Sequence, residues 1–415
     1  MLRSYRISTF DLIMCISDTV DMVSPALSNH HKQVAYLAAR IAEAHGLGRE
    51  RQRTCIVAGA LHDLGGMTVS ERLGVLEFEA EGLQDHARMG ARLLGTFSLL
   101  SDLAPIVGGH HAVWGHRSAP GDEPIEAHIL HLADRIAVLV DRGAEVLGQV
   151  AGIAARIRGE AGRLFHPGLV ETFEALARQE SLWLDLVSPT LGGEIRRRLG
   201  DEAVELDMQG VFELAAFFAR LIDFRSRFTA SHSAGVAATA EFLARHAGFS
   251  PREQALMRAA GLLHDLGKLA VPAEVLEKPA KLSEAEFNLI RSHTYSTWRA
   301  LRPIRDFEVI AEWAAYHHER LDGRGYPFHI GGRDISMGSR IMAVADVFVA
   351  LTEDRPYRDG MGTERALDIL GDMAQQGALD PRLVKLARSH QGELDRVRLE
   401  AQEAAIQEYR ELLAG

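Results

Sequence analysis

One set of histidines and aspartates occurs twice in the chain, in the same order. Corresponding members are 202 positions apart for the first three residues, 207 for the next three and 212 for the last, so two five-residue insertions explain every change of register. A solvated surface would not keep seven such residues in register, and we therefore expect two similar domains, each built around one cluster. The first copy is His30, His62, Asp63, His86, His110, His111 and Asp134, and the second is His232, His264, Asp265, His293, His317, His318 and Asp346.

Length and composition agree with two soluble domains. The 415 residues suffice for two cores, and 47% hydrophobic with 25% charged residues is ordinary for globular proteins. A formal charge of −11 argues against non-specific nucleic-acid binding, which needs a broad basic surface. Cys15 and Cys55 form no disulfide framework, and three aspartates interrupt the apolar stretch 10–23. We expect a cytoplasmic protein with neither nucleic-acid nor membrane partners.

Helix signals dominate the sequence. Capping boxes at 250–253 and 283–286 begin two helices, of which the first should run to Gly267 and the second should carry His293. Ile310 and His317 fall on one inward helical face, and 341–351 indicates a buried helix that holds Asp346. We predict an all-α protein of two tandem helical-bundle domains, 1–195 and 205–415, with the boundary between about residues 190 and 205, where glycine, serine and proline cluster.

Imidazole and carboxylate are ligands for Fe²⁺, Mn²⁺ and Zn²⁺, and two ions about 3.5–4 Å apart can clamp both oxygens of a phosphoryl displacement. Ions that close need a bridging carboxylate, which the His-Asp dipeptide supplies. Seven histidines outside the repeated set are interpreted as ordinary core or surface residues: His45, His128, His131, His166, His246, His329 and His390.

The second half resembles the HD-GYP family of bacterial cyclic dinucleotide phosphodiesterases over about residues 210–395. The resemblance rests on the stretches 264–268 (HDLGK) and 317–327 (HHERLDGRGYP). It implies that His232, His264, Asp265 and Asp346 hold one metal and that Asp265, His293, His317 and His318 hold the other. It also implies a catalytic role for Asp265, a place for Lys268 near the scissile phosphate, and phosphate contacts from Arg355 and Arg358. Iron or manganese is expected, and the sequence does not decide between them or exclude zinc.

Three features surround this implied site. Tyr326 either contacts substrate or anchors its loop, and the loop forms a substrate-side wall in both cases. Members of the family with three metals have carboxylates where this chain has Phe228 and Val349, so we expect two metals. Thr294 and Thr297 replace the usual proline and glycine beside the substrate pocket, which makes Thr297 a candidate substrate contact and leaves the base preference open.

The first half retains all seven ligand-type residues but resembles an HD domain without the GYP loop, the glycine-rich end of the 317–327 stretch in the second half. Gly66, Gly143 and Val146 occupy the positions equivalent to Lys268, Arg355 and Arg358. This half is therefore expected to bind metal without cleaving cyclic dinucleotides. A sensor or scaffold module, an enzyme for another phosphate ester, and a decayed duplicate with core histidines remain open alternatives.

The leading hypothesis is a metal-dependent phosphodiesterase that hydrolyses a cyclic dinucleotide, most simply cyclic di-GMP, to a linear dinucleotide or mononucleotide. Hydrolysis of 3′3′-cyclic GMP-AMP is the alternative within the same chemistry. A non-catalytic, nucleotide-responsive signalling or interaction protein is an alternative of another class, which the complete ligand set and Lys268 disfavour. A general nucleotidase is disfavoured by the GYP loop. The sequence leaves open a homodimer or a signalling protein partner.

Overall fold

The computed structural model describes residues 4–21, 29–66, 83–116, 123–200, 202–223, 231–276, 278, 280–354 and 359–414. Within these ranges the named elements are helices, joined by turns and loops, and two short strands, β1 (Tyr5–Ser8) and β2 (Ala203–Leu206), which pair with each other. The expected all-α fold is confirmed. No helix in the described ranges is long and apolar enough to cross a bilayer.

The chain forms two compact units. The first unit spans Ser8–Ala203, and the second runs from Val204 onward and includes the strand residues up to Ile7. In the first unit the helices are α1 (Thr9–Asp21), α2 (His30–Ala44), α3 (Arg49–Leu61), α4 (Leu83–Gly95), α5 (Ala104–Gly108), α6 (Ile125–Leu139), α7 (Val150–Gly159), α8 (Pro167–Leu176), α9 (Glu180–Leu186) and α10 (Leu191–Leu199). In the second unit they are α11 (Met208–Asp223), α12 (His232–His246), α13 (Pro251–Leu263), α14 (Ala273–Leu276), α15 (Glu284–Leu301), α16 (Glu308–Ala315), α17 (Met337–Thr352), α18 (Thr363–Gln375), α19 (Pro381–Ser389) and α20 (Gln391–Ala414).

The two units repeat the same central helix packing. Helix α2 packs against α3 and α6, and α12 packs in the same way against α13 and α17. A β-carbon on Gly59 would lie 2.8 Å from Cα of Ala35, and one on Gly261 would lie 2.5 Å from Cα of Ala237, so each helix pair is in backbone contact at a glycine. Such close approach leaves no space for a larger residue. It brings the C-terminal ends of α3 and α13 against the central helices.

Both predicted capping boxes are present. The Ser250 hydroxyl accepts from the backbone N–H of Glu253 at the start of α13, and Ser283 does the same with Glu286 at the start of α15. The prediction that the first of these helices runs to Gly267 is wrong: α13 ends at Leu263 and a 3₁₀ turn covers Leu266–Ala270. A β-carbon on Gly267 would lie 1.9 Å from the carbonyl oxygen of His293, so α15 contacts the backbone of this turn too closely for any residue but glycine.

Candidate metal centre

In the second unit, five elements bring the repeated residues together. His232 is the first residue of α12, His264 and Asp265 follow the end of α13, and His293 lies on α15. The pair His317 and His318 follows α16, and Asp346 lies in the middle of α17. Six of these seven side chains are buried, and His318 is partly exposed, with 29% of its side-chain surface accessible. The structure therefore brings together all seven second-half residues that the sequence singled out.

The Asp265 carboxylate lies between two groups of ligand atoms. Its Oδ2 is 3.2 Å from Nε2 of His264 and 3.8 Å from Nε2 of His232, whereas its Oδ1 is 3.4 Å from Nε2 of His293. Asp346 joins the first group, with Oδ1 3.2 Å from Nε2 of His232. His293, His317 and His318 have ligand atoms within 4.8 Å of one another and form the second group. One carboxylate that presents a different oxygen to each group has the geometry of a bridge between two cations.

Backbone carbonyl groups fix the orientation of three of the imidazoles. The Nδ1–H groups of His264, His293 and His317 donate to the carbonyl oxygens three residues earlier, at 2.7, 2.6 and 2.6 Å. An imidazole held through Nδ1 presents its Nε2 lone pair to the opposite side, which is the tautomer that binds a metal. In all three, Nε2 points into the cluster.

The electrostatics of the cluster keep its carboxylates ionised and act in opposite directions on different imidazoles. Burial by itself would raise the pKa of Asp265, but the neighbouring His264 and Lys268 hold it well below its ordinary value. Burial lowers the pKa of His293 to about 3, and burial together with the adjacent His318 lowers the pKa of His317 well below its ordinary value. His232 is opposite, because Glu353 and Asp346 outweigh its burial and raise its pKa to about 9. Ionised carboxylates and neutral His293 and His317 are the states that metal ligation requires, whereas a metal would have to displace a proton from His232.

The buried polar atoms also fit a metal. Within the described ranges, Nε2 of His264 and Oδ1 of Asp265 make no hydrogen bond, although both are fully shielded from solvent. Leaving a buried polar atom unsatisfied costs about 1–3 kcal/mol, and more if it is charged. Ligation of a divalent cation would satisfy such atoms, and the clusters in both units are able to hold metal.

The residues expected near the substrate have different surroundings. Lys268 is partly exposed and donates from Nζ to Oδ2 of Asp265 at 2.6 Å. Tyr326 is half-buried, with its ring 4.9 Å from that of His318, and the Arg291 guanidinium lies 5.1 Å from its centroid. Val349 is fully buried and offers no oxygen to a cation. Arg355, Arg358 and Phe228 lie outside the described residues.

Thr297 is placed differently from the sequence-based expectation of a substrate contact. It is fully buried, and its hydroxyl donates to the carbonyl oxygen of His264 at 3.0 Å while it accepts from the backbone N–H of Gly267 at 2.9 Å. Both hydrogen-bonding functions of the hydroxyl are thus used inside the protein. This geometry favours a role in holding the turn that carries Asp265.

Two functional candidates were missed by sequence reasoning. Glu353, just past α17, is buried and its Oε2 accepts from Nδ1 of His232 at 2.8 Å. Glu319 is buried beneath the GYP loop, where its Oε1 accepts from the backbone N–H of Phe328 at 2.7 Å. Neither residue belongs to the repeated set, and only the position of Glu319 directly after the His-His pair could have drawn attention to it.

The first unit reproduces the arrangement. Oδ2 of Asp63 is 3.1 Å from Nε2 of His62, and Oδ1 is 3.1 Å from Nε2 of His86. His30 and Asp134 complete one group, with Nε2 to Oδ1 at 3.3 Å, and His110 and His111 complete the other. All seven residues are buried.

In the first unit, the residues at the positions equivalent to Lys268, Arg355 and Arg358 carry no charge. Gly66 and Val146 are buried, and Gly143 is exposed. The first cluster therefore has the ligand-type residues of the second without the lysine at its edge.

Comparisons with known proteins agree with this duplicated site. HD domain families match residues 27–139 and residues 216–383. The chain is similar to 3′3′-cGAMP-specific phosphodiesterase 1 of Vibrio cholerae, with 31% identity over 392 residues and 91% of each chain covered. It is also 39% identical over 162 residues to a cyclic di-GMP phosphodiesterase of Pseudomonas aeruginosa, a match that covers 38% of each chain.

A solved structure supports the fold of the whole chain. The crystal structure of a cyclic GMP-AMP specific phosphodiesterase from V. cholerae has a TM-score of 0.65, with 22% sequence identity and 98% of both chains covered. Together with the 31% identity to a relative aligned over 91% of both chains, the two HD matches decide the family. The chain belongs to the HD-GYP family of phosphodiesterases and carries an additional HD domain in its N-terminal half.

Proposed function

We propose that the second unit hydrolyses a phosphodiester bond of a cyclic dinucleotide, with cyclic di-GMP as the simplest substrate. The observation that carries this proposal is the position of Asp265 between two groups of ligand atoms, with the partly exposed ammonium group of Lys268 on its Oδ2. A structural metal site is closed by protein ligands and has no use for a lysine at its edge. A phosphodiesterase needs both a metal pair and a cation for the anionic substrate.

The chain's own residues divide between the two metals. His232, His264 and Asp346 would hold one divalent ion with Oδ2 of Asp265, and His293, His317 and His318 would hold the other with Oδ1. The ions, when bound, supply Lewis acidity and lower the pKa of a bound water. Imidazole and carboxylate ligands suit iron and manganese, which we propose as the metals, and they do not exclude zinc.

The remaining residues would act on substrate. The Lys268 ammonium can exchange its hydrogen bond to Asp265 for one to a phosphate oxygen, where it would steady the charge of the transition state or assist the leaving 3′-oxygen. Arg355 and Arg358 would hold the phosphates, since two arginines near the site can grip oxygens bidentately. Tyr326, with Arg291 over its ring, forms an aromatic and cationic surface suited to a nucleobase and its phosphate.

Hydrolysis of 3′3′-cyclic GMP-AMP is the second candidate. It is favoured by the relative that aligns with both halves of this chain and is named for that substrate. Protein purified without oxygen, with its metal content measured, should be assayed on cyclic di-GMP, 3′3′-cyclic GMP-AMP and cyclic di-AMP. Hydrolysis of at least one of them supports the proposal, and a ratio of kcat/KM values identifies the preferred base. Metal-loaded protein that cleaves none of them would contradict it.

We propose further that the first unit holds metal but does not cleave cyclic dinucleotides. Its seven ligand-type residues adopt the same arrangement, while Gly66 stands in the place of Lys268. A cytoplasmic location also remains part of the proposal, because both cysteines are buried free thiols.

A further inference from the structure

A second histidine follows His30 directly, and it does not belong to the repeated set. His31 is 1% exposed, and its Nδ1 pairs with the Oδ1 of Asp21 at the end of α1. Its Nε2 is buried and makes no hydrogen bond to any residue in the described ranges. A carboxylate that holds one ring nitrogen of a histidine leaves the other as a well-oriented ligand atom.

His31 lies beside the cluster of the first unit. A ligand atom of His31 lies within 4.8 Å of ligand atoms of both His62 and Asp63. The His31 ring is 5.2 Å from that of His62 and 5.7 Å from that of His30, measured between centroids. Besides the seven residues of the repeated set, this unit therefore offers an eighth ligand atom.

The second unit has no such atom at the equivalent place. Ser233 stands 202 positions after His31, at the spacing that separates His30 from His232, and it is 1% exposed. The carboxylates that orient the histidines differ as well. In the second unit Glu353 holds His232, whereas its equivalent in the first unit, Asp141, is exposed and accepts from the backbone N–H of Gly143.

The orienting carboxylate is thus associated with a different histidine in each unit. Nδ1 of His30 makes no hydrogen bond among the described residues, while the neighbouring His31 is held by Asp21. An imidazole Nε2 that is buried without a partner is destabilising. A metal ion bound at Nε2 of His31 would remove this cost, whereas a histidine that merely fills the core would keep it.

The cations near the two clusters also differ in kind. Arg135 is 1% exposed and its guanidinium binds Oδ2 of Asp134, at 2.6 Å from Nη2 and 3.1 Å from Nε. Lys268 in the second unit is 19% exposed and binds the bridging aspartate. Among the described residues, the carboxylates at the first cluster are Asp21, Asp63 and Asp134, and those at the second are Asp265, Asp346 and Glu353.

We propose that His31 is a metal ligand of the first unit and closes a coordination position that the second unit, with Ser233 at this place, leaves to water or substrate. A site saturated by protein ligands is structural, whereas a catalytic site keeps a position open. Among the described residues of the first unit, the cation bound to Asp134 is the buried Arg135, which is not placed to reach an incoming phosphate as the partly exposed Lys268 is. The inference rests on the proposal that the first unit binds metal, and it explains why that metal would not hydrolyse cyclic dinucleotides.

The test uses the full-length chain with the second centre disabled by His264→Gln and Asp265→Asn. Co²⁺ is the probe, because its visible absorption reports ligand number and responds to azide at an open position. In this parent protein we expect bound Co²⁺ whose spectrum azide does not change. His31→Ser, which installs the residue of the second unit, should weaken Co²⁺ binding at least about tenfold or make its spectrum sensitive to azide.

Two further variants keep the test decisive. Asp21→Asn leaves His31 in place but removes its orienting charge, and it should weaken Co²⁺ binding less than His31→Ser does. His45→Gln, at the residue that follows the same helix and is bonded to Thr172, should behave as the parent. Circular dichroism and thermal melting with and without Co²⁺ show whether each variant is folded.

The outcomes are separable. A His31→Ser variant with the parent's Co²⁺ affinity and an azide-insensitive spectrum would refute the role of His31 while leaving a metal site in the first unit. A folded parent that binds no Co²⁺ would refute the first metal centre itself. Neither result bears on hydrolysis by the second unit, which is measured on the unmodified protein.

Discussion

Oε2 of Glu353 lies 2.8 Å from Nδ1 of His232, so a carboxylate from the end of α17 holds the first histidine of the second metal cluster. The two residues are 121 positions apart and both are buried. His264, His293 and His317, by contrast, are held at Nδ1 by backbone carbonyls three residues earlier. The Nδ1 of His232 therefore depends on a side chain, Glu353, for its hydrogen bond.

Replacement of Glu353 by glutamine should therefore weaken metal binding. An amide lacks the charge that raises the basicity of the imidazole, and loss of such a partner typically costs about 10–100-fold in metal affinity or activity. Metal affinity can be measured by titration of the metal-free protein. Glu364→Gln, at an exposed position on α18, is the matched control. An unchanged affinity in Glu353→Gln would show that the contact is not needed to position His232.

Asp265→Asn should abolish turnover and reduce the metal content of the second unit. A neutral amide presents one oxygen and is a poor bridge between two cations. Metal per chain by elemental analysis and hydrolysis of the cyclic dinucleotide panel provide the two measurements. Asp368→Asn, at an exposed aspartate paired with Arg388, should change neither. Normal activity of Asp265→Asn on every substrate would mean that catalysis takes place elsewhere.

Lys268→Met should reduce kcat more than it reduces metal content. The methionine keeps much of the length of the side chain but loses a charge-assisted contact worth about 1.5–3 kcal/mol, which corresponds to roughly 10–100-fold in rate. Lys385→Met, at an exposed position on α19, serves as the control. If Lys268→Met instead lost its metal and kept its rate per bound metal, the lysine would serve only to balance the charge of Asp265.

Arg355→Ala should raise KM or lower kcat by about one to two orders of magnitude, as expected for loss of a phosphate contact of about 1.5–3 kcal/mol. Its melting temperature should be nearly unchanged, since the residue is predicted to act on substrate. Arg365→Ala, an exposed arginine on α18, is the control. A large fall in melting temperature with little kinetic effect would make Arg355 a structural residue.

The second unit should hold two metals and not three. Val349 is fully buried in α17 at a position where a third metal would need a carboxylate, and Phe228 occupies the other such position in the sequence. Anomalous diffraction from crystals grown with excess Mn²⁺ or Fe²⁺ can count the ions. A third anomalous peak with protein ligands in this unit would contradict the prediction.

Residue spacing and local motifs were enough to predict the fold class and the ligand-type residues that meet. The duplicated register required two similar helical domains, because only a repeated packing arrangement keeps seven ligand-type residues at matched spacings. Local signals were equally reliable: the capping boxes at Ser250 and Ser283 depend on residues three positions apart, and both helices begin where they were predicted. The HD-GYP resemblance followed from contiguous stretches of the chain.

Contacts between residues distant in sequence, and the direction of each side chain, could not be predicted and became visible in the folded structure. Glu353 and His232 share no motif, and nothing in the spacing of Thr297 shows that its hydroxyl is used by two backbone groups. The surroundings of His31 also follow from packing, which puts Asp21 on its Nδ1 and brings one of its ligand atoms within 4.8 Å of ligand atoms of His62 and Asp63. Hydrogen-bond direction and burial arise from packing across the whole unit, so no periodicity within a single segment encodes them.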